Sequence, residues 1–334
     1  SHQILNCFHK FTNMPDRNSS LLAQLDRIVN LASISSVNKA IDMSNKSVID
    51  YLANEFETLG FMCELVPCVP DRNKFNLIAT YGTGTGGLVL AGHTDTVPLD
   101  EKLWSVDPFR LTEKDNRMYG LGITDMKGFF PLIMEAVKPL LDVKFREPLI
   151  VLATADEETS MQGAKTLAEL GRPKARSAVI GEPTGMQPVR AHKGIMMDSI
   201  RLSGKSGHSS DPGLGNNALD AMYAVIGELI RYRKELKARY SNDLFKIPYP
   251  TVNLGSIHGG DNPNRICGHC TLEFDVRLTP GMHMDSVRAE ISERILQITN
   301  PLGIQFEMTP IFTGVPAFFA KENSTLLKTA EELT

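Results

Sequence analysis

The sequence is poor in cysteine and tryptophan, with five and one respectively in 334 residues. An odd number of thiols spread over this length does not make the disulfide framework of a small secreted scaffold. Charge of one sign is not in excess either: 35 Lys+Arg stand against 39 Asp+Glu, a net charge of −4. That balance excludes the broad basic face a nucleic-acid partner requires. No apolar run approaches the ~18 residues of a membrane span. Residues 1–20 lack the basic start and apolar stretch of a secretory leader, so the expected compartment is the cytoplasm. Repeats and low-complexity tracts are missing too.

What is present is ample core material, since 42% of the residues are apolar; a disordered chain is excluded. Length divided by about 150 predicts roughly two domains. Short apolar runs at 61–66, 75–81, 88–91, 148–154 and 177–180 read as strands. Helical patterns lie between them: one capped by Asn18 or Ser19, then 47–59 stopped by Gly60, 127–141 and 162–170. This alternation predicts an α/β domain, a mainly parallel sheet flanked by helices. From about 188 the rhythm changes to strands at 196–202, 251–257, 271–278 and 304–308 with helices at 217–238 and 284–298. That order predicts an inserted α+β domain spanning 188–305, its antiparallel sheet carrying two helices. The catalytic domain is then 1–187 plus 306–334, ending in a helical stretch from Asn323.

Three strands of the first half run directly into polar residues that no core needs. Leu88 to Gly92 leads into His93-Thr94-Asp95, 149–155 into Asp156-Glu157-Glu158, and 178–181 into Glu182-Pro183-Thr184. Asp125 stands in a Gly-rich loop just ahead of a helix. Ligands gather outside the carboxyl ends of strands in open α/β sheets, so these segments can converge on one crevice. One imidazole and several carboxylates suit Zn²⁺, Co²⁺ or Mn²⁺. The donors exceed what one tetrahedral ion with an open position needs, and a bridging carboxylate between two ions accounts for the surplus. Each residue alone also fits an ordinary surface or capping position. Glu157 and Glu158 diverge at a strand exit, which allows one to bind metal while its neighbour acts as general base.

Several other motifs lack their context. Cys267-Gly268-His269-Cys270 runs into a strand pattern instead of opening a helix, which argues against dithiol redox chemistry. Gly82 to Gly87 leads into a strand, not a helix, so it is no dinucleotide cradle. Ser199 stands where a P-loop ending in Gly204-Lys205-Ser206 needs glycine, and Ser209 is outside any Gly-x-Ser-x-Gly elbow.

The segments His93-Thr94-Asp95, Gly122 to Gly128 (GITDMKG), Asp156-Glu157-Glu158 and Gly181 to Thr184 (GEPT) resemble the metal motifs of the co-catalytic zinc aminoacylase/carboxypeptidase family. The stretches 90–98 (LAGHTDTVP), 153–164 (ATADEETSMQGA), 181–194 (GEPTGMQPVRAHKG) and 249–267 (YPTVNLGSIHGGDNPNRIC) resemble its acetylornithine deacetylase branch. The likeness runs from about Leu21 onward.

This resemblance implies two divalent ions, Zn²⁺ or Co²⁺. His93, Asp125 and Glu182 would hold the first, and Asp125 would bridge to the second with Glu158. Glu157 would be the general base, and Asp95 would orient His93 from behind. The family's remaining second-metal ligand is a histidine near the C-terminus; none follows His283 here. The expectation is therefore a catalytic domain that is incomplete at its C-terminal end. The insert resembles the family's lid, which dimerises and supplies His208 to the partner's oxyanion, while Asn264 and Arg265 match its substrate-clamping pair. The implied reaction removes the acetyl group from N2-acetyl-L-ornithine, giving L-ornithine and acetate in arginine biosynthesis. The alternatives are a related N-acyl-amino-acid deacylase or dipeptidase, or an inactive chain that binds one metal. The implied partners are a small-molecule N-acyl amino acid and a second copy of the chain, with no nucleic acid and no membrane.

Overall fold

Helical periodicity and strand alternation divide the chain where the sequence changes rhythm. The computed structural model describes residues 17–312, 314–320 and 324–334, in two units that meet between Met186 and Gln187. Residues 1–16 and Asn323, on which the absent leader and the last helix start were argued, lie outside the described residues. Among the described residues no helix is long and apolar enough to cross a membrane.

In the first unit, α1 (Arg17–Asn30) includes residues 18 and 19, so neither is its cap. Helix α2 (Lys46–Thr58) buries Val48, Ile49, Leu52, Ala53 and Phe56, an apolar stripe at helical spacing. Gly60, at φ 86°, lets the chain turn out of it. Strands β1 (Met62–Val69) and β2 (Lys74–Tyr81) form an antiparallel pair. Next come β3 (Leu88–His93), the small β4–β5 pair (Thr112–Lys114, Arg117–Tyr119) and α3 (Phe129–Val137). They are followed by β6 (Leu149–Thr154), α4 (Gln162–Leu170) and β7 (Ser177–Ile180).

The main sheet has the order β1-β2-β6-β3-β7. Its parallel part is β6-β3-β7; β2 joins β6 antiparallel, so the sheet is more mixed than the expected mainly parallel one. The β1–β2 turn is only three 3-10 residues and a left-handed Asn73, too short for a helical crossover, which forces antiparallel pairing. Phe56, Leu77, Phe130, Met134 and Val151 are fully buried between sheet and helices. In the parallel part His93 lies level with Thr154, and Ala91 with Ile180. Three strands thus end side by side.

The second unit holds a four-stranded antiparallel sheet. After the short β8 (Ala191–His192) come β9 (Gly194–Ser203), α5 (Ala218–Arg239), β10 (Thr251–Gly259) and β11 (His269–Leu278). Helix α6 (Met284–Thr299), β12 (Gln305–Pro310), β13 (Phe318–Phe319) and α7 (Thr325–Leu333) complete it. The order is β10-β11-β9-β12, and both long helices contribute to one apolar core with Ile200, Phe274 and Val276. Asp198, wholly buried on β9, accepts from Arg288 Nε of α6 at 3.0 Å and pins that helix to the sheet.

The expectation that the chain re-enters the catalytic domain at 306 is corrected for 306–310. Those residues pair with β9 in the second sheet, from Phe306 opposite Leu202 to Pro310 opposite Asp198. The remaining described residues, to Thr334, belong to the second unit as well. A strand pattern shows that an edge strand exists, but not which sheet takes it.

Candidate metal centre

The C-terminal ends of β3, β6 and β7 and the loop ahead of α3 carry the predicted residues into one place. His93 closes β3 and is buried. Its Nδ1 donates to the backbone carbonyl of Asp95 at 2.9 Å, which turns Nε2 outward. There Nε2 meets Asp125 Oδ1 at 3.0 Å, Glu182 Oε1 at 3.8 Å and Glu157 Oε2 at 4.0 Å. Ligand atoms of His93, Asp125 and Glu158 all fall within 4.8 Å of one another. The structure therefore brings together His93, Asp125, Glu157, Glu158 and Glu182.

Asp95 sits beneath this group with a different task from the one expected. Its carboxylate is 3.7 Å from His93 Nδ1, too far for a hydrogen bond. Instead Oδ1 accepts from the Glu157 N–H at 3.2 Å and Oδ2 from the Glu158 N–H at 3.0 Å. It holds the imidazole through its main chain and the glutamate pair through its side chain.

The electrostatics are those of carboxylates crowded around one imidazole. Burial pushes Glu158 up to about 7, helped by the negative charges of Asp125, Glu157 and Asp95. Burial also raises Glu157 and Glu182, against the opposing pull of His93. Burial alone would lower His93, but the surrounding carboxylates outweigh it and hold its pKa above the ordinary value. Because Nδ1 donates to the Asp95 carbonyl, the Nε2 lone pair of the neutral ring is the one a divalent ion would take. One imidazole nitrogen and convergent carboxylate oxygens are a fitting donor set for such an ion.

Close packing fixes the approach of each arm. A Cβ on Gly181, the residue before Glu182, would lie 2.4 Å from the Phe129 ring. Lys127 is buried two residues after Asp125 and donates to the Leu31 carbonyl at 2.8 Å. Burial drives its pKa down to about 8. The residues that sequence reasoning missed lie behind the glutamates. Asp156 has φ 57° and is buried against Lys74 and Ser35. An Asp ahead of Glu-Glu was a visible signal; a lysine opening a strand was not.

The remaining candidates cluster in loops of the second unit. His208 and Arg265 form an isolated antiparallel bridge, and the Ser209 N–H donates to the Asn264 carbonyl at 3.0 Å. The Ser210 N–H donates to His208 Nδ1 at 3.2 Å, which leaves Nε2 of the neutral ring as the protonated nitrogen. Arg265 Nη1 is held by Asp261 at 2.6 Å in an exposed ion pair. Cys267 and Cys270 are buried free thiols, Cys270 within β11. Gly82 to Gly87 simply connects β2 to β3.

Comparison with known proteins agrees with this geometry. Residues 190–301 match the family model of the peptidase dimerisation domain. Acetylornithine deacetylase of Klebsiella pneumoniae (strain 342) is 46% identical over 301 residues, covering 90% of this chain and 79% of that protein. The fold is shared with a tripeptidase from Staphylococcus aureus subsp. aureus Mu50, at a TM-score of 0.69 and 20% identity over 94% of this chain and 80% of that one. It is shared too with a dinuclear metal-binding peptidase of the M20 family from Bacillus subtilis, at a TM-score of 0.65 and 15% identity, with 94% and 80% covered. The protein is thus a metallo-amidohydrolase, and the donor set of His93, Asp125 and Glu158 fits a divalent metal ion. More narrowly, the chain belongs to the acetylornithine deacetylase family.

Proposed function

We propose that the protein removes the acetyl group from N2-acetyl-L-ornithine, giving L-ornithine and acetate, as a cytoplasmic homodimer joined through the second unit. The observation that carries the reading is the convergence of His93 Nε2, Glu157, Glu158 and Glu182 from three adjacent strand ends with Asp125 from the loop ahead of α3. Sequence identity to the Klebsiella deacetylase supports the choice of substrate.

In this reading His93, Asp125 and Glu182 hold one Zn²⁺ or Co²⁺, and Asp125 and Glu158 contribute to a second. Divalent ions bound there supply Lewis acidity toward the acetyl carbonyl and toward water. Glu157, whose carboxyl burial raises above its ordinary value, accepts a proton from the attacking water and passes it to the departing amine. Asp95 keeps Glu157 and Glu158 aimed by taking their backbone N–H groups. His208, reaching a partner chain's site, donates from Nε2 to the oxyanion, the role usually worth most in acyl transfer. Arg265 exchanges Asp261 for the substrate carboxylate, whose two oxygens match its planar fork, and Asn264 completes that clamp.

The test is metal content per subunit after chelation and zinc reloading, with turnover of N2-acetyl-L-ornithine measured on the same sample. A panel of other N-acyl amino acids and dipeptides runs alongside. Metal uptake with preferential turnover of N2-acetyl-L-ornithine is expected. Metal uptake with preference for a dipeptide or another acyl amino acid would replace the substrate but keep the site; no metal uptake would refute the site.

A further inference from the structure

We propose that Lys74 is a positioning residue for the reaction: a buried ammonium that locks Asp156 in its turn and so aims Glu157 and Glu158. The proposal rests on the reading of those two glutamates as the working pair.

Lys74 opens β2, yet only 1% of it is exposed. A lysine is almost never so deeply buried unless it is paired. Its Nζ contacts two carboxylates, Asp42 Oδ1 at 2.7 Å and Asp156 Oδ1 at a shorter distance. Asp42 is balanced further by Arg72, 3.3 Å away, and accepts the Ser36 N–H at 2.9 Å. Asp156 also accepts from Ser35 Oγ at 2.8 Å, and that hydroxyl lies 2.7 Å from Thr159 Oγ1. Two cations thus face two anions across three chain segments, the loop at 35–42, the start of β2, and the turn after β6.

The turn is where this matters. Asp156 has φ 57°, a left-handed conformation that an L-residue with a Cβ adopts at a cost. Such a conformation persists when its surroundings over-determine it. Here the side chain is tied by Lys74 and Ser35, while the Asp156 carbonyl accepts from the Met161 N–H at 2.6 Å. The next two N–H groups, of Glu157 and Glu158, then point at the two oxygens of Asp95. Lys74 touches neither glutamate. It sets the backbone from which both project.

The decisive experiment compares Lys74→Met with the double variant Lys74→Met/Asp156→Asn. The single variant leaves a buried carboxylate without its cation and is expected to lose stability on that ground alone. The double variant removes both charges, leaving Asp42 with Arg72, so its urea midpoint should recover. Amide hydrogen exchange of the metal-free full chain reads the turn directly. Exchange at Glu157 and Glu158 is expected to be about tenfold or more faster in both variants, with the β6 amides unchanged in the double variant. Turnover of the zinc-loaded double variant should fall in kcat by about 10–100-fold, as for other residues that support a metal site, with KM within about threefold. Recovered stability with parental exchange at both amides would overturn the proposal, because Lys74 would then serve only to neutralise charge. Since exchange is read without metal or substrate, altered exchange in a protein that ignores N2-acetyl-L-ornithine would sink the substrate assignment and leave this inference standing.

Discussion

The two units place functional side chains in opposite ways. In the first, His93 and Asp95 are buried at a strand end; His93 meets the Asp125 carboxylate 32 residues on, and Asp95 accepts from main-chain N–H groups 62 and 63 residues on. In the second, the His208 and Arg265 side chains lie exposed and are held by contacts two and four residues away, while the main chains of their two loops pair with each other. Groups that must meet one small ion need positions set to fractions of an ångström. Groups that must release one partner and take another need local, exchangeable contacts. Arg265, paired with Asp261 in solvent, can change partners at little cost, because an exposed ion pair is worth only about 0–1 kcal/mol.

The largest effect should come from the proton-transfer group of the first unit. Glu157→Gln should lower kcat by about 10²–10⁴-fold while metal content stays at the parental level; metal loss in step with activity would make Glu157 a ligand and not a base. Next comes His208→Ala, expected to lower kcat by about 10²–10³-fold if it supplies one oxyanion donor. If the comparison holds, this loop variant leaves the urea midpoint and metal content untouched. Asp95→Ala should do the reverse, weakening metal affinity by about 10–100-fold and lowering stability by orphaning two backbone N–H groups. Parental metal affinity in that variant would break the contrast between rigid and adaptable placement.

The smallest effect concerns acid. Burial pushes Asp42 and Glu228 upward, but Lys74 beside Asp42, and Arg231 and Arg294 beside Glu228, outweigh it and hold both below the ordinary carboxylate range. A depressed folded pKa contributes stability that is complete above the unfolded value near 4 and is lost as pH falls through the folded value. Asp42→Asn and Glu228→Gln should each reduce the urea midpoint at pH 7. The gap from the parent should close as pH falls below the ordinary carboxylate range. An unchanged gap would mean that the two pairs do not titrate with folding. Here the units should behave alike, since both carboxylates are buried against cations.

Much of the first unit was legible because its strands are apolar runs that stop abruptly at ionisable residues. An apolar run ending in His93-Thr94-Asp95 has few other uses in a sheet. The glutamate pair was legible for the same reason. What stayed hidden was partnership. Period reports which face is buried, not which group a buried charge meets, so Lys74, one residue ahead of the strand expected at 75–81, gave no signal. The left-handed turn at Asp156 leaves no period at all. Asp95 was expected behind His93, but its bonds to the Glu157 and Glu158 N–H groups depend on the β3–β6 register, a long-range fact. For β12 the strand was visible and its sheet was not.

The contact between Gly181 and Phe129 carries a consequence for how this chain can diverge. Any side chain at 181 must share space with an aromatic ring 2.4 Å from its first carbon. Position 181 therefore cannot drift on its own: a lineage must first trade Phe129 for something smaller and then accept bulk beside Glu182. The order of those two steps is forced, since the reverse passes through a chain whose Glu182 arm is displaced. Variation around this arm should accordingly arrive as a linked pair of exchanges, while the open connection at Gly84, with nothing within 4 Å, is under no such spatial restraint.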